Sequence, residues 1–344
     1  MIASVGSMTS NETQPSPWEV LAPIADLVTP MAVRVAATLR LADLMSEGVT
    51  EVEELATRTE TDADALGRLL RHLTCHGVFT EPAPNRFALN ETADLLRSDH
   101  PGGMRAAFDL NEFGGRMDLV FTNLLHTVRT GGPAWETVHG APFWEYLATN
   151  PTMAASFDAS MAGSTRTAAA TAYDWTDVRH VIDVGGGTGA LLAEILAANP
   201  DIRATLVDLP DTVTRGRERL AERGLGDRCE FAGQSFFDPL PTGGDVYLLS
   251  AVLHDWDDDQ ATKILRGCAQ AAGKTGRVVI VESHGTAGDD PGMFAEMNLR
   301  MLVLSGGRER TVEDYQALAT AAGLTTTDVR TTSTGLVVID CEPT

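Results

Sequence analysis

The segment Val181-Ile182-Asp183-Val184-Gly185-Gly186-Gly187-Thr188-Gly189 constrains this chain more than any other. An apolar run ends in an acid and four glycines follow. A helical pattern then starts at Ala190 and continues through Leu191, Leu192, Ile195 and Leu196. The order is strand, tight turn, helix. Without Cβ atoms the backbone can approach a ligand closely, and the N–H groups that open the helix form a weakly positive rim. At the carboxyl end of a first parallel strand, such a turn is where doubly wound α/β domains hold nucleotide-like cofactors.

The remainder of the second half supports that fold. Candidate strands fall at 180–184, 203–207, 229–232, 245–250, 277–282 and 335–341, with helical patterns between most of them. The alternation predicts a largely parallel sheet with helices on both faces. The first half reads instead as helices. Trp18 to Met45 is apolar on several faces, with Pro30 as an interruption, and needs cover from its own domain or a second subunit. Helices follow at Thr50–Thr57 and Asp62–Cys75, the second capped by Asp62 and closed by Gly77. Val78–Glu81 and Arg86–Leu89, joined by Pro82-Ala83-Pro84-Asn85, read as a hairpin, so the order is that of a winged helix. Further helical patterns run from Met104 to Gly131 and from Phe143 to Tyr173. The expected organisation is a disordered leader over 1–17, a helical winged-helix-like domain over 18–170 and an α/β domain over 171–344.

Acids outnumber bases 48 to 26, a formal net charge of −22. Such a chain repels phosphate backbones and anionic membranes, which favours a small-molecule partner over nucleic acid or membrane. Cys75, Cys229, Cys268 and Cys341 are dispersed, as expected of reduced thiols in a cytoplasmic protein. No apolar run is expected to span a membrane.

The glycine turn also satisfies a loose dinucleotide pattern, Gly185-x-Gly187-x-x-Ala190. Asp208 ends the second candidate strand, where an acid accepts hydrogen bonds from ribose hydroxyls. After the third strand come Ser235 and Phe236, placed to bond the edge and cover the face of a base. Phe236 reads equally well as core.

Five motifs occur in order: Asp183-Val-Gly-Gly-Gly-Thr-Gly, Val207-Asp208-Leu209-Pro210, Ser235-Phe236-Phe237-Asp238-Pro239-Leu240-Pro241, Val252-Leu253-His254-Asp255-Trp256-Asp257-Asp258 and Gly306-Gly307-Arg308-Glu309-Arg310. Together they resemble the S-adenosylmethionine-dependent O-methyltransferases of secondary metabolism, plant caffeate- and flavonoid-type enzymes and bacterial antibiotic-tailoring enzymes among them. The resemblance spans nearly the whole chain. It implies a Rossmann-like catalytic domain and an N-terminal winged-helix-like domain that mediates a homodimer. It places Asp183, Gly185, Gly187, Asp208, Leu209, Ser235, Phe236, Ser250 and Trp256 at the cofactor. Gly185 and Gly187 would cradle its methionine part, Asp208 its ribose, and Ser235 and Phe236 its adenine. Plant members usually carry an acid in place of Ser235 and a lysine in place of Ser250.

Methyl transfer from a sulfonium is an in-line displacement that needs collinear partners and exclusion of water. The acceptor must also lose a proton. A phenol with a pKa of about 10 can give it to a positioned neutral imidazole with one of about 6.5. His254 follows the fourth candidate strand, at the sheet edge where ligands collect, and is the expected general base. The resemblance sets Glu282 and Glu309 beside it as orienting or substrate-contacting carboxylates. It also sets Asp255, Phe157, Met161, Asn298, Met301 and Leu302 at the acceptor. Relatives often carry an acid in place of Asn298. No metal constellation is visible: Asp257-Asp258-Asp259 lacks histidine or cysteine partners and reads as a solvated helix start.

The resulting expectation is a metal-independent methyltransferase acting on an aromatic hydroxyl of a secondary metabolite. C- or N-methylation of an aromatic precursor is the alternative on the same scaffold. A ligand-sensing winged-helix regulator is opposed by the acidity of the chain, and an NAD-dependent oxidoreductase by the His254 and Glu309 motifs.

Overall fold

The computed structural model of the chain describes residues 15–162, 169–283, 291–332 and 335–344. Residues 1–14 of the expected leader lie outside that set. Two compact units divide the chain, Met1–Asn111 and Glu112–Thr344.

In the first unit the apolar stretch forms three helices, Pro17–Ala25, Val28–Thr38 and Leu41–Ser46. The interruption expected at Pro30 falls earlier. Asp26 breaks the run, its Oδ1 accepting the Val28 N–H at 2.8 Å. Pro30 sits in the first turn of the second helix, where a missing N–H leaves no bond unmade. Taken together, Pro17–Thr38 is long and apolar enough to cross a membrane by length and composition, contrary to the sequence expectation. It is nevertheless two helices of 9 and 11 residues, each too short for a crossing. Trp18, Val20, Leu21, Ile24, Leu27 and Val28 are all exposed.

Asp62 caps the helix Ala63–Cys75 through a 2.8 Å bond from the Ala65 N–H, and Leu66, Leu70 and Leu73 fill the core of the unit. The hairpin pairs β1 (Thr80–Ala83) with β2 (Arg86–Ala88). Its turn is only Pro84-Asn85, with Asn85 at φ 62°, so Pro82 lies within an edge strand, where proline is tolerated.

The second unit holds a seven-stranded sheet of β3 (His180–Val184), β4 (Arg203–Asp208), β5 (Cys229–Gly233), β6 (Val246–Ser250), β7 (Arg277–Ser283), β8 (Leu324–Thr331) and β9 (Leu336–Pro343). The order is β5-β4-β3-β6-β7-β9-β8. The first five strands are parallel, and β9 runs antiparallel to both neighbours. Alternate residues face opposite layers. Ile182, Tyr247, Leu249 and Ile280 pack against the helices Asp258–Ala272 and Val312–Ala321, while Val181, Leu206, Leu248 and Val279 pack against Ala190–Ala198. The helices Phe113–Val120, Phe143–Thr149 and Pro151–Ala162 group with this unit, around a cluster shared with Pro291–Ser305. The change of sequence texture near residue 170 therefore marks the approach to the sheet, while the limit between the compact units falls at Asn111 and Glu112.

The chain runs β3-β4-β5 to one side and returns to lay β6 on the other side of β3. This reversal opens a crevice outside the carboxyl ends of β3 and β6. The glycine turn leaves β3 there. Gly186 has no positive φ, so alanine suits its backbone, but an added Cβ would strike the Asp183 carboxyl and come within 2.6 Å of Leu206 Cδ1. Gly186→Ala should therefore destabilise the fold by about 1–3 kcal/mol through overpacking. Chemical denaturation measures this directly; an unchanged midpoint would show that the turn has slack.

Candidate active site

Both halves of the crevice are built by strand ends. At the end of β3, Gly185 and Gly187 adopt positive φ (71° and 60°), and the space a Gly187 Cβ would enter is open. The Gly187 N–H donates to Asp208 Oδ2 at 2.8 Å, and the Leu209 N–H donates to Asp208 Oδ1 at 2.7 Å. Each carboxylate oxygen keeps a second acceptor site for a hydroxyl. Asp183 is buried and its Oδ1 has no hydrogen-bond partner. Burial, followed by the nearby Asp208, pushes its pKa up to about 7. An open glycine cradle, an orphaned buried acceptor and a ribose-type acid fit a cationic, donor-bearing ligand such as S-adenosylmethionine.

Phe236 stands beside this turn: its Cε1 is 3.4 Å from where a Gly185 Cβ would lie. It meets Trp256 edge-on at 5.9 Å, and Trp256 also contacts Phe237 edge-on at 4.9 Å and stacks on Trp144 at 6.2 Å. These rings form an aromatic wall. The Ser235 Oγ accepts the Phe237 N–H at 3.2 Å, which leaves its O–H free to donate. Ser250 closes β6, half-buried.

Beyond Ser250 the backbone enters the left-handed region at Ala251 (φ 56°) and forms a short turn, Leu253–Asp255, that holds His254. The imidazole is 5% exposed. Its Nδ1 lies 3.1 Å from Glu309 Oε1 and 3.6 Å from Glu282 Oε2, so Nδ1 carries a proton and donates to Glu309. Glu282, near the end of β7, accepts the Val252 and Leu253 N–H groups on Oε1 at 3.0 and 2.8 Å. Asp255 Oδ1 is 3.6 Å from Nε2, outside hydrogen-bond reach. Nε2 is thus the nitrogen left to meet an acceptor.

The electrostatics differ from the neutral imidazole expected from sequence. Burial lowers the His254 pKa, but Glu282, Asp255 and Glu309 together outweigh it and push the value up to about 9. The three carboxylates therefore favour the protonated imidazole.

The acceptor candidates separate. Asn298 Oδ1 accepts the Glu309 N–H at 3.1 Å, and an open cleft of about 580 Å³ is lined by Asn298, Leu299, Leu302, Gly307 and Arg308. Met301, on the other face of the same helix, is buried in the cluster with Phe113, Met117 and Trp135. Phe157 packs edge-on against Phe113 at 5.0 Å and Phe143 at 5.5 Å, and Met161 lies at the exposed end of its helix. Three features escaped the sequence reading. Trp144 backs the aromatic wall. Asp158, between Phe157 and Met161, pairs with Arg215 at 2.6 Å and so ties this helix to the one that follows Asp208. Arg310 is buried against the His254 turn. A charged residue among apolar neighbours was the one available signal for Asp158, and for Trp144 there was none.

Residues 121–325 match the family described as the O-methyltransferase domain, and residues 24–99 match the O-methyltransferase dimerisation domain. The 2,7-dihydroxy-5-methyl-1-naphthoate 7-O-methyltransferase of Streptomyces carzinostaticus is 45% identical over 88% of this chain and 91% of its own. The aclacinomycin 10-hydroxylase of Streptomyces purpurascens is 44% identical over 92% of this chain and 87% of its own. The crystal structure of an O-methyltransferase from neocarzinostatin biosynthesis, in complex with S-adenosylmethionine and 2-hydroxy-5-methyl naphthoic acid, superposes with a TM-score of 0.89 at 42% identity, covering 94% of this chain and 98% of that one. The chain belongs to the S-adenosylmethionine-dependent O-methyltransferases that carry an O-methyltransferase dimerisation domain.

Proposed function

We propose that the protein methylates a ring hydroxyl of an aromatic secondary metabolite, with His254 as general base, and that it works as a cytoplasmic homodimer. The observation that carries the reading is the Glu309–His254 Nδ1 hydrogen bond at the carboxyl edge of β6, which leaves Nε2 without a hydrogen bond, 3.6 Å from Asp255 Oδ1. The naphthoate 7-O-methyltransferase supports an aromatic hydroxyl as the target.

Bound S-adenosylmethionine supplies an electrophilic methyl on a sulfonium. The protein's residues do the rest. The backbone at Gly185 and Gly187, with Asp208, Leu209, Ser235 and Phe236, holds the cofactor in place. Asp183 and Ser250 sit at the strand ends beside it. Trp256 and its aromatic neighbours exclude water, which strengthens every electrostatic contact within. Asn298, Leu302, Met161 and Asp255 border the acceptor, with Phe157 and Met301 setting its wall from behind. His254 Nε2 receives the hydroxyl proton as the oxygen attacks, while Glu309 and Glu282 hold the Nδ1 side and stabilise the imidazolium that forms.

His254→Ala should reduce kcat by about 10²–10⁴-fold, the usual worth of a positioned base. Calorimetry with S-adenosylhomocysteine should meanwhile give an unchanged affinity. Full turnover in this variant would remove the base assignment, and NMR of the product's methyl carbon separates O- from N- and C-methylation. The pH dependence has a definite sign. Only the unprotonated Nε2 accepts, so turnover should climb as pH rises toward about 9 in a wild-type pH–rate profile. The His254 pKa is raised on folding, so its contribution to stability is whole below about 6.5 and lost as pH rises through about 9. A rate profile flat from neutrality upward would contradict the carboxylate cage.

The exposed face of Trp18, Leu21, Ile24, Leu27 and Val28, with the dimerisation-domain match, supports the homodimer. Light scattering should give twice the 36.7 kDa chain mass, and Ile24→Glu with Leu27→Glu should shift the population toward monomer. A wild-type monomer at micromolar concentration would refute the dimer.

A further inference from the structure

Arg310 is 1% exposed, and no carboxylate of the base cluster pairs with it. Its guanidinium spreads over one turn of backbone. Nη1 donates to Leu253 O at 2.7 Å, and Nη2 donates to Trp256 O at 2.8 Å. Nε and Nη2 both reach Asp258 Oδ1, at 3.0 and 2.8 Å. The two carbonyls bracket His254. The carbonyl of His254 itself is taken by the same segment, through the Arg308 N–H at 2.8 Å. Gly307 lets the strands of this contact close: an added Cβ would run into the His254 carbonyl and lie 2.6 Å from the Asp255 carbonyl carbon.

We propose that the segment Gly306–Arg310 is a clamp on the His254 turn, and that Arg310 is a positioning residue for the general base. The inference rests on the base reading of His254. Burying a guanidinium costs desolvation that an apolar side chain would avoid, so it is a poor device for stability alone. As a planar fork with five donors it can instead fix two carbonyls and a carboxylate at once. The turn needs this, because Ala251 enters it in the left-handed region and only a short 3₁₀ turn follows. Glu282 Oε1 takes the N–H groups of Val252 and Leu253. The peptides around the imidazole are thereby held through both their N–H and their C=O groups. The clamp also carries Glu309 between Arg308 and Arg310, so it sets the 3.1 Å approach of that carboxylate to Nδ1.

The groups that face the imidazole are Asp255 on its own turn, Glu282 from β7 and Glu309 from the clamp. Of these three, Glu309 is the one the clamp itself carries, so loosening the clamp withdraws it. The consequence is a change in both rate and titration. Arg310→Lys and Gly307→Ala should lower kcat by up to about 10²-fold, the effect of misplacing a catalytic group by an ångström. S-adenosylhomocysteine affinity should not change. The acid limb of the pH–rate profile should move to lower pH, because His254 loses one of its three anionic neighbours. Asp258→Asn, on a half-exposed anchor, should give the same changes in smaller measure.

The test compares these variants with His254→Ala by steady-state kinetics across pH, calorimetry and thermal melts. Where Arg310→Lys does not fold, Gly307→Ala and Asp258→Asn decide. Reduced kcat with a shifted acid limb and intact cofactor affinity is the expected result. Folded variants with wild-type kcat and acid limb overturn the clamp, as does a parallel loss of kcat and cofactor affinity with an unmoved limb. Turnover retained in His254→Ala overturns the base reading, and the clamp's role with it.

Discussion

The reversal of strand order between β3 and β6 is the constraint from which the rest of this site follows. Two neighbouring parallel strands whose connections leave to opposite sides cannot have their carboxyl ends covered by their own crossover helices. The chain must place something there that needs no cover or makes its own. At β3 it places glycines, whose backbone lies open. At β6 it places a short turn with a left-handed residue, its N–H groups held by Glu282 and its carbonyls by Gly306–Arg310. The two ends touch: a Cβ on Gly185 would lie 2.8 Å from Val252 Cγ2, so the glycine turn can approach the base turn only because it is glycine. Cofactor cradle and base are one packing unit.

That unit concentrates charge of one sign. Asp183, Asp208, Asp255 and Glu282 lie at or just beyond adjoining strand ends, and Glu309 reaches them from the loop after the helix Pro291–Ser305, in a chain that is already strongly acidic. Burial raises the pKa of Asp183 and Asp208, and the surplus of carboxylates raises that of His254. A sulfonium ligand is a cation, and methyl transfer removes its charge, so the field that favours the loaded cofactor over its spent form is the one that holds a proton on the base. Holding that proton works against proton abstraction at neutral pH.

The parts of this fold that could be read from sequence are those where burial leaves a simple pattern. The strands β3, β4, β6 and β7 are covered on both faces, so they appear as continuous apolar runs bounded by polar residues. Strand β8 went unread because it is an edge: Thr325, Thr327 and Asp328 alternate with little apolar content, and its pairing is only with β9. The break at Asp26 was concealed by Pro30, the stronger punctuation by itself, which tertiary structure places harmlessly in a first turn. At the site, His254, Glu282 and Glu309 were legible through strand ends and ordered motifs. The roles of Met301 and Leu302 were not, since adjacent residues on a helix face apart and sequence does not say which face is whose. Arg310 pairs with the surface acid Asp258, but nothing in its motif indicates that its remaining donors go to the carbonyls of Leu253 and Trp256.

The scaffold by itself does not select the reaction. A relative 44% identical to this chain over most of both lengths is named a hydroxylase, while another, at 45%, is named an O-methyltransferase. Overall identity of this order cannot discriminate chemistries, because one fold hosts many of them and the choice lies in the site. The discrimination must come from the few residues that determine where a proton goes. On the base role proposed above, those in this chain are an imidazole whose Nδ1 donates to Glu309 and whose Nε2 makes no hydrogen bond, and the backbone turn that carries it. A hydroxyl acceptor gains from that geometry because its proton has a destination when oxygen attacks. An acceptor that has no proton to lose gains nothing from it.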